Sequence, residues 1–166
     1  MNALDSLQAQ LTVGRVLVDA DVVDAYRRDE ARLVTPGNPL AIVVAGDTDD
    51  LRTTMRWATE HRIPVVPRGA GSGLSGGASA TDGCVVWSLA KMTRILELNR
   101  DDQLAVVQPG VVNANLQTAA EEQALMYAPD PASFELSTIG GNIATPAGGL
   151  RCVKYGVTRE SVLGLE

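Results

Sequence analysis

The chain has 166 residues, 45% hydrophobic and 20% charged, with a formal net charge of −6. That composition is globular, and the length is enough for a buried core. The acidic balance and the absence of a basic cluster argue against nucleic acid and anionic membrane as partners, and no apolar run reaches membrane-spanning length.

The first ten residues lack the positive-then-apolar pattern of an export signal. Residues 5–11 and 19–27 read as short helices, with Asp19 or Asp21 as the cap of the second. Pro36 to Pro39 is a turn. Leu40-Ala41-Ile42-Val43-Val44-Ala45 is a continuous apolar run of strand length. Asp47 and Thr48 then offer a helix N-cap, with Asp49 and Asp50 in the first turn, where the helix dipole favours anions. Leu51, Met55 and Ala58 recur at helical spacing, and His61 falls at the end of that helix. Ile63 to Val66 is the next strand, so residues 40–66 predict a βαβ unit with parallel strands.

Directly after it stands Pro67-Arg68-Gly69-Ala70-Gly71-Ser72-Gly73-Leu74-Ser75-Gly76-Gly77, in which five of the nine positions 69–77 are glycine. Without Cβ atoms, consecutive amides can turn toward one ligand, and a concave run of N–H groups is an anion site suited to phosphate. The loop leaves the end of a strand, where α/β sheets tend to bind ligands. It is not a P-loop, because Gly77 stands where that motif needs lysine. Gly71, Gly73 and Gly76 match the dinucleotide fingerprint, but no helix follows; a strand at about 84–89 does. Arg68 is the loop's single cation.

Further strands are predicted at 94–98 and 103–107. Pro109-Gly110 breaks the chain, and Asn113 reads as the cap of a helix with Leu116, Ala120 and Ala124 on one face. A second glycine cluster follows at Gly140, Gly141, Gly148 and Gly149, a second place where backbone must approach something closely. Cys84 and Cys152 form no Cys-x-x-Cys pair and read as reduced thiols of a cytoplasmic protein. His61 is the single histidine, which argues against a metal site in this chain.

The segment Ile63 to Gly77 resembles the phosphate loop of FAD-linked oxidases of the vanillyl-alcohol-oxidase and para-cresol-methylhydroxylase (PCMH) type. Gln108-Pro109-Gly110-Val111, Ala128-Pro129-Asp130-Pro131, Thr138-Ile139-Gly140-Gly141-Asn142, Lys154-Tyr155-Gly156 and Val162-Leu163-Gly164-Leu165-Glu166 follow in that family's order. Within the family the likeness is to glycolate oxidase D-subunits, D-lactate dehydrogenases and D-2-hydroxyglutarate dehydrogenases, and it runs from about Asp19 onward.

The resemblance implies an α+β, PCMH-type FAD-binding fold: two α/β subdomains with FAD between them, residues 1–92 and 93–166, the second truncated. It implies noncovalent FAD, since Leu74-Ser75 stands where some relatives carry a flavin-linked histidine. The implied cofactor-binding residues are Arg68, Gly69, Ala70, Gly71, Ser72, Gly73, Leu74 and Ser75 in the phosphate loop, and Pro129, Asp130, Ser133, Thr138, Gly140, Gly141 and Ala144 beside the flavin and its ribityl chain. Tyr26 and Asp29 match a family pattern and are expected to be structural. Where relatives often have asparagine, this chain has Pro146, which removes both the side-chain amide and the backbone N–H. No residue here is expected to be catalytic. The whole enzyme would oxidise a 2-hydroxy acid by hydride transfer to flavin N5, through a later domain, and pass electrons to an acceptor such as an iron–sulfur subunit; this stretch alone is expected to be inactive and to hold FAD weakly. Two other readings stay open: another PCMH-fold flavoenzyme, or a flavin-free assembly module in which an unpaired strand edge near Val162 to Leu165 pairs with a second copy.

Overall fold

A computed structural model describes residues 3–166. The chain divides into two compact units, Met1–Met92 and Thr93–Glu166.

The first unit is built on a four-stranded mixed sheet. Its elements are α1 (Ala3–Gln10), β1 (Arg15–Leu17), α2 (Ala20–Ala25), β2 (Ala41–Val44), α3 (Thr48–His61), β3 (Val65–Arg68) and β4 (Val85–Ser88). The strand order is β1-β2-β4-β3. β4 runs parallel to both β2 and β3, pairing Val43 and Pro67 with Trp87, while β1 is antiparallel to β2. The predicted crossover from residue 40 to 66 is therefore real, but β4 separates its two strands. β1 has no sequence signal of its own: three residues are too short for an alternation to register.

The apolar β2 run fills both faces of the sheet. Ala41 and Val43 pack with Leu7, Trp57, Ala58 and Val85, whereas Ile42 packs with Ala80, Cys84 and Val86. This is the period-two geometry of a strand covered on both sides. On α3 the buried positions are Asp50, Thr54, Trp57 and Ala58, and Met55 is exposed. The predicted stripe through Leu51 and Met55 is thus out of phase, because Asp50 and Thr54 carry their own hydrogen bonds inward. Asp47 caps α3, accepting from Asp50 N–H at 2.8 Å, and Asp19 rather than Asp21 caps α2. His61 closes α3 with its Nδ1–H donating to Trp57 O at 2.9 Å and its ring stacked on Trp57, as a helix-terminal residue should.

The second unit opens with the antiparallel hairpin β5 (Ile95–Asn99) and β6 (Leu104–Val107), continues through α4 (Asn113–Glu122), α5 (Ile139–Ala144) and α6 (Cys152–Tyr155), and ends in a 3₁₀ turn, Thr158–Ser161. Its core is Val111, Leu116 and Ile139, with Ile95, Ala105, Val107, Tyr127 and Ile143 against them.

Three expectations are corrected here. α4 ends at Glu122, and Ala124 lies beyond it with φ of 57°. Asn113 does not cap α4; Val112 precedes the helix, and the Asn113 side chain is spent on tertiary hydrogen bonds. Gly140 and Gly141, of the second glycine cluster, lie inside α5. Residues 162–166, which follow the 3₁₀ turn Thr158–Ser161, form no strand, so this chain shows no sheet edge near Val162 to Leu165 for self-pairing.

Candidate functional site

In the first unit, the residues implied for phosphate gather at the C-terminal end of β3. The strand runs two residues further than expected, to Arg68, so Arg68 is in the sheet and Gly69 to Ser75 form the loop beyond it. Two loop glycines are needed for the backbone itself: Gly71 at φ of 73° and Gly76 at 81° occupy the left-handed region. Gly73 and Gly77 have no such need. A Cβ on Gly77 would meet nothing within 4 Å, and one on Gly73 only Asp29 Oδ2 at 3.7 Å.

The loop is held from outside its own span. Glu30 N–H donates to Gly73 O at 3.0 Å, and Ala80 N–H to Arg27 O at 2.8 Å. Asp29, buried, accepts from Ala78 N–H at 3.2 Å, Ser79 Oγ–H at 2.9 Å and Ala31 N–H at 3.0 Å. Burial pushes the Asp29 pKa up, but these hydrogen bonds, with the Arg68 charge beside them, outweigh it and hold the carboxyl below its ordinary value. Arg68 Nη1 donates to Arg28 O at 2.8 Å and Ala78 O at 3.4 Å, and its guanidinium lies 5.6 Å from the Tyr26 ring centroid. Burial lowers the Arg68 pKa, opposed by Asp29, Tyr26 and Glu30. Tyr26 and Asp29 thus have the structural roles expected of them.

Among the described residues, the amides from Ala70 through Gly77 donate to no acceptor in the chain. A run of such donors, on a loop held by Asp29, Glu30 and Arg68, has the backbone chemistry of an anion site.

In the second unit, the implied residues lie along one stretch of chain. Pro129 is buried, and its carbonyl accepts from Asn113 Nδ2 at 3.0 Å and Gln117 Nε2 at 2.9 Å. Asn142 Nδ2 donates to Asn113 Oδ1 at 3.0 Å, so one buried amide pair ties α4, α5 and the Pro129 segment together. Asp130 accepts from Arg151 N–H at 3.0 Å. Ser133 O receives the amides of Leu136 and Ser137, which folds the segment into a turn. Gly140 abuts Pro109: its N–H donates to Pro109 O at 2.9 Å, and a Cβ there would come within 2.7 Å of the proline ring. Gly141 lies beside the Thr138 hydroxyl, and Ala144 is the exposed last residue of α5. Gly149 pairs with Pro131, and a Cβ on it would overlap the Asp130 backbone. Much of the second glycine cluster therefore serves close packing within the chain.

The hydroxyls of Ser137 and Thr138 are buried and have no hydrogen-bond partner in the chain, and Ser88 Oγ at the end of β4 is alike. Sequence reasoning missed Ser88 and Ser137, since serine in a strand or turn carries no signal that its hydroxyl is left over. Tyr127, next to this segment, has its phenol pushed up to about 12 by burial and stays neutral. Among the described residues no group of histidine, cysteine or carboxylate is arranged to hold a metal, and no helix is long and apolar enough to cross a membrane. Both cysteines are free thiols.

Comparison with known proteins gives a consistent answer. The FAD binding domain family profile matches residues 39–166. The chain is 44% identical to a D-2-hydroxyglutarate dehydrogenase of Stutzerimonas stutzeri, over 98% of the chain and 35% of that protein. It is 45% identical to the glycolate oxidase subunit GlcD of Bacillus subtilis, over 92% of the chain and 31% of that protein. The chain thus spans about a third of the length of the curated relatives it matches. Among solved structures, p-cresol methylhydroxylase superposes with a TM-score of 0.75 at 24% identity, covering 87% of this chain and 29% of that one. An alkyldihydroxyacetonephosphate synthase superposes at 0.83 with 22% identity, covering 93% and 31%; these two show the fold. A glycine loop at the end of a parallel strand, the ordered motifs that follow it and these likenesses agree, and this chain belongs to the FAD binding domain family, with its PCMH-type fold.

Proposed function

We propose that this chain is the FAD-holding part of a flavin-dependent oxidoreductase that acts on a 2-hydroxy acid of the glycolate, D-lactate or D-2-hydroxyglutarate kind. The observation that carries the cofactor assignment is the run of undonated amides from Ala70 through Gly77 at the end of β3. The substrate class rests on the relatives, which are by name D-2-hydroxyglutarate dehydrogenase, glycolate oxidase subunit and D-lactate dehydrogenase.

The residues present fit the group. In this reading the loop amides take the diphosphate, whose charge is met by dipoles rather than by a row of cations. The buried, unpartnered Thr138 hydroxyl offers the ribityl chain or ring a hydrogen bond, with Ser133, Pro129, Asp130, Gly140, Gly141 and Ala144 along the same segment. FAD held there would supply the two-electron oxidising chemistry by which a 2-hydroxy acid, losing a hydride and a proton, becomes a 2-oxo acid. The chain's own work is to bind and orient. Binding is noncovalent, since Leu74-Ser75 offers no histidine and His61 is engaged at the end of α3. A cytoplasmic location and an iron–sulfur electron-acceptor subunit belong to the same proposal, the latter in keeping with a relative that is itself named a subunit.

The test is a titration of FAD with the purified chain, followed by flavin absorption and fluorescence with excess left in place, because this stretch alone is expected to hold FAD weakly. A saturable change in the flavin signal, reversed on denaturation with the polypeptide mass unchanged, is expected. A flavin signal that does not change at any chain concentration overturns the assignment.

A further inference from the structure

We infer that Arg68, the one cation of the glycine loop, is a brace that shapes the loop and not a ligand of the anion it takes up. The inference rests on the reading that this loop holds the FAD diphosphate. Arg68 is the last residue before the loop, and Ala78 is the first residue after Gly77. The Arg68 guanidinium donates to Ala78 O at 3.4 Å and to Arg28 O at 2.8 Å, so it ties the two ends of the loop to each other and to the chain after α2. Ala78 is gripped a second time through its N–H, by Asp29 at 3.2 Å. The guanidinium also occupies the position a Cβ on Gly71 would take: that atom would overlap Nη2 and Cζ, with Nη1 at 2.9 Å. Gly71 is thus glycine for two reasons, its φ of 73° and the arginine packed against its α-carbon. Tyr26 receives the cation on its ring, at 5.6 Å, and Asp29 and Glu30 lie near enough to interact with its charge. The positive charge is therefore answered within the protein, and the anion is left to the amides. Closing the neck of a glycine-rich loop in advance removes entropy that ligand binding would otherwise have to remove.

The experiment compares Arg68→Met, Arg68→Lys and Gly77→Val with the parent chain. FAD affinity is measured by fluorescence titration at several salt concentrations, and exchange of the Glu30 amide, which bonds Gly73 O, is measured without FAD. One nitrogen, Nη1, bonds both carbonyls, while Cζ and Nη2 pack against the Gly71 α-carbon; lysine has no group to fill that second position. Both Arg68 variants should then lose about tenfold or more in FAD affinity, with the salt dependence of the parent retained and Glu30 exchanging faster. If Arg68→Lys keeps parental affinity while Arg68→Met loses both affinity and salt dependence, Arg68 is an ion-pair partner of the diphosphate and the brace is wrong, though the site stands. Unchanged Glu30 exchange in both variants overturns the brace whatever FAD does. Gly77→Val adds bulk where the chain has no atoms of its own; if it and Arg68→Met both leave FAD affinity untouched, or the parent takes up no FAD, the loop is not the site and the inference falls with it.

Discussion

Single carboxylates organise this chain from the inside. Asp50 is buried in the first turn of α3 and accepts from Thr12 N–H at 2.9 Å, Thr12 Oγ1–H at 3.2 Å, Val13 N–H at 3.4 Å and Gly46 N–H at 3.0 Å. One side chain thus satisfies the turn before β1 and the turn after β2. Replacing it by asparagine puts an N–H₂ against one of those donors and leaves the donor unsatisfied. Asp50→Asn should destabilise the fold by about 2–3 kcal/mol, read as a lower urea midpoint with unchanged m-value; a shift worth less than about 0.5 kcal/mol, the range of an ordinary surface change, would show that the carboxylate is dispensable. From the sequence, Asp50 read as a helix first-turn acid favoured by the dipole. Its partners at Thr12 and Val13 lie 38 and 37 residues away, and no local pattern announces a hydrogen bond across that distance.

At the scale of elements, the predicted strands and helices were legible where they were long or continuous in apolar residues, as in β2, α3 and β4. They were illegible where three-dimensional neighbours supply the stabilisation. α5 is the clearest case. Ile139-Gly140-Gly141-Asn142 has poor helix propensity, with two glycines in six residues. It forms because Ile139 enters the core, Asn142 bonds Asn113, and Gly140 lets the helix lie directly on Pro109. Gly140→Ala therefore has opposed effects: better propensity, but a methyl within 2.7 Å of Pro109 Cβ and 3.0 Å of Pro109 O. The clash involves a proline ring and backbone, which do not yield by rotamer change, so it should dominate. The expected result is a net loss of about 1–3 kcal/mol in thermal or urea unfolding. A variant more stable than the parent would mean that α5 shifts off Pro109 without cost.

For the molecule as a whole, the titration of its buried acids sets the acid limit of stability. The pKa of Asp29 and of Asp50 is lowered in the fold; in each, burial pushes it up and is outweighed by hydrogen bonds, from Gly46, Thr12 and Val13 for Asp50. Their contribution is present above the unfolded-state value near about 3.9. It is lost as pH falls through the lower folded values, because the unfolded chain then binds more protons. Stability should be flat in this respect above about pH 5 and fall below about pH 4. Asp50→Asn should show a shallower acid limb than the parent, measured by unfolding midpoints across that range; identical slopes would place the acid sensitivity elsewhere.

The sequence by itself determined the βαβ run, the glycine loop that ends it and the chain's place among FAD binding domains. These depend on local conformational limits: apolar runs of strand length, caps, and glycines where only backbone fits. Tertiary structure alone decided that Arg68 turns toward Arg28 and Ala78, that β4 lies between β2 and β3, and that Asn113 serves Pro129 and Asn142 instead of capping its helix. Each of these is a choice among partners distant in the chain, and that choice is made by which buried donors and acceptors are left to be satisfied once the core has closed.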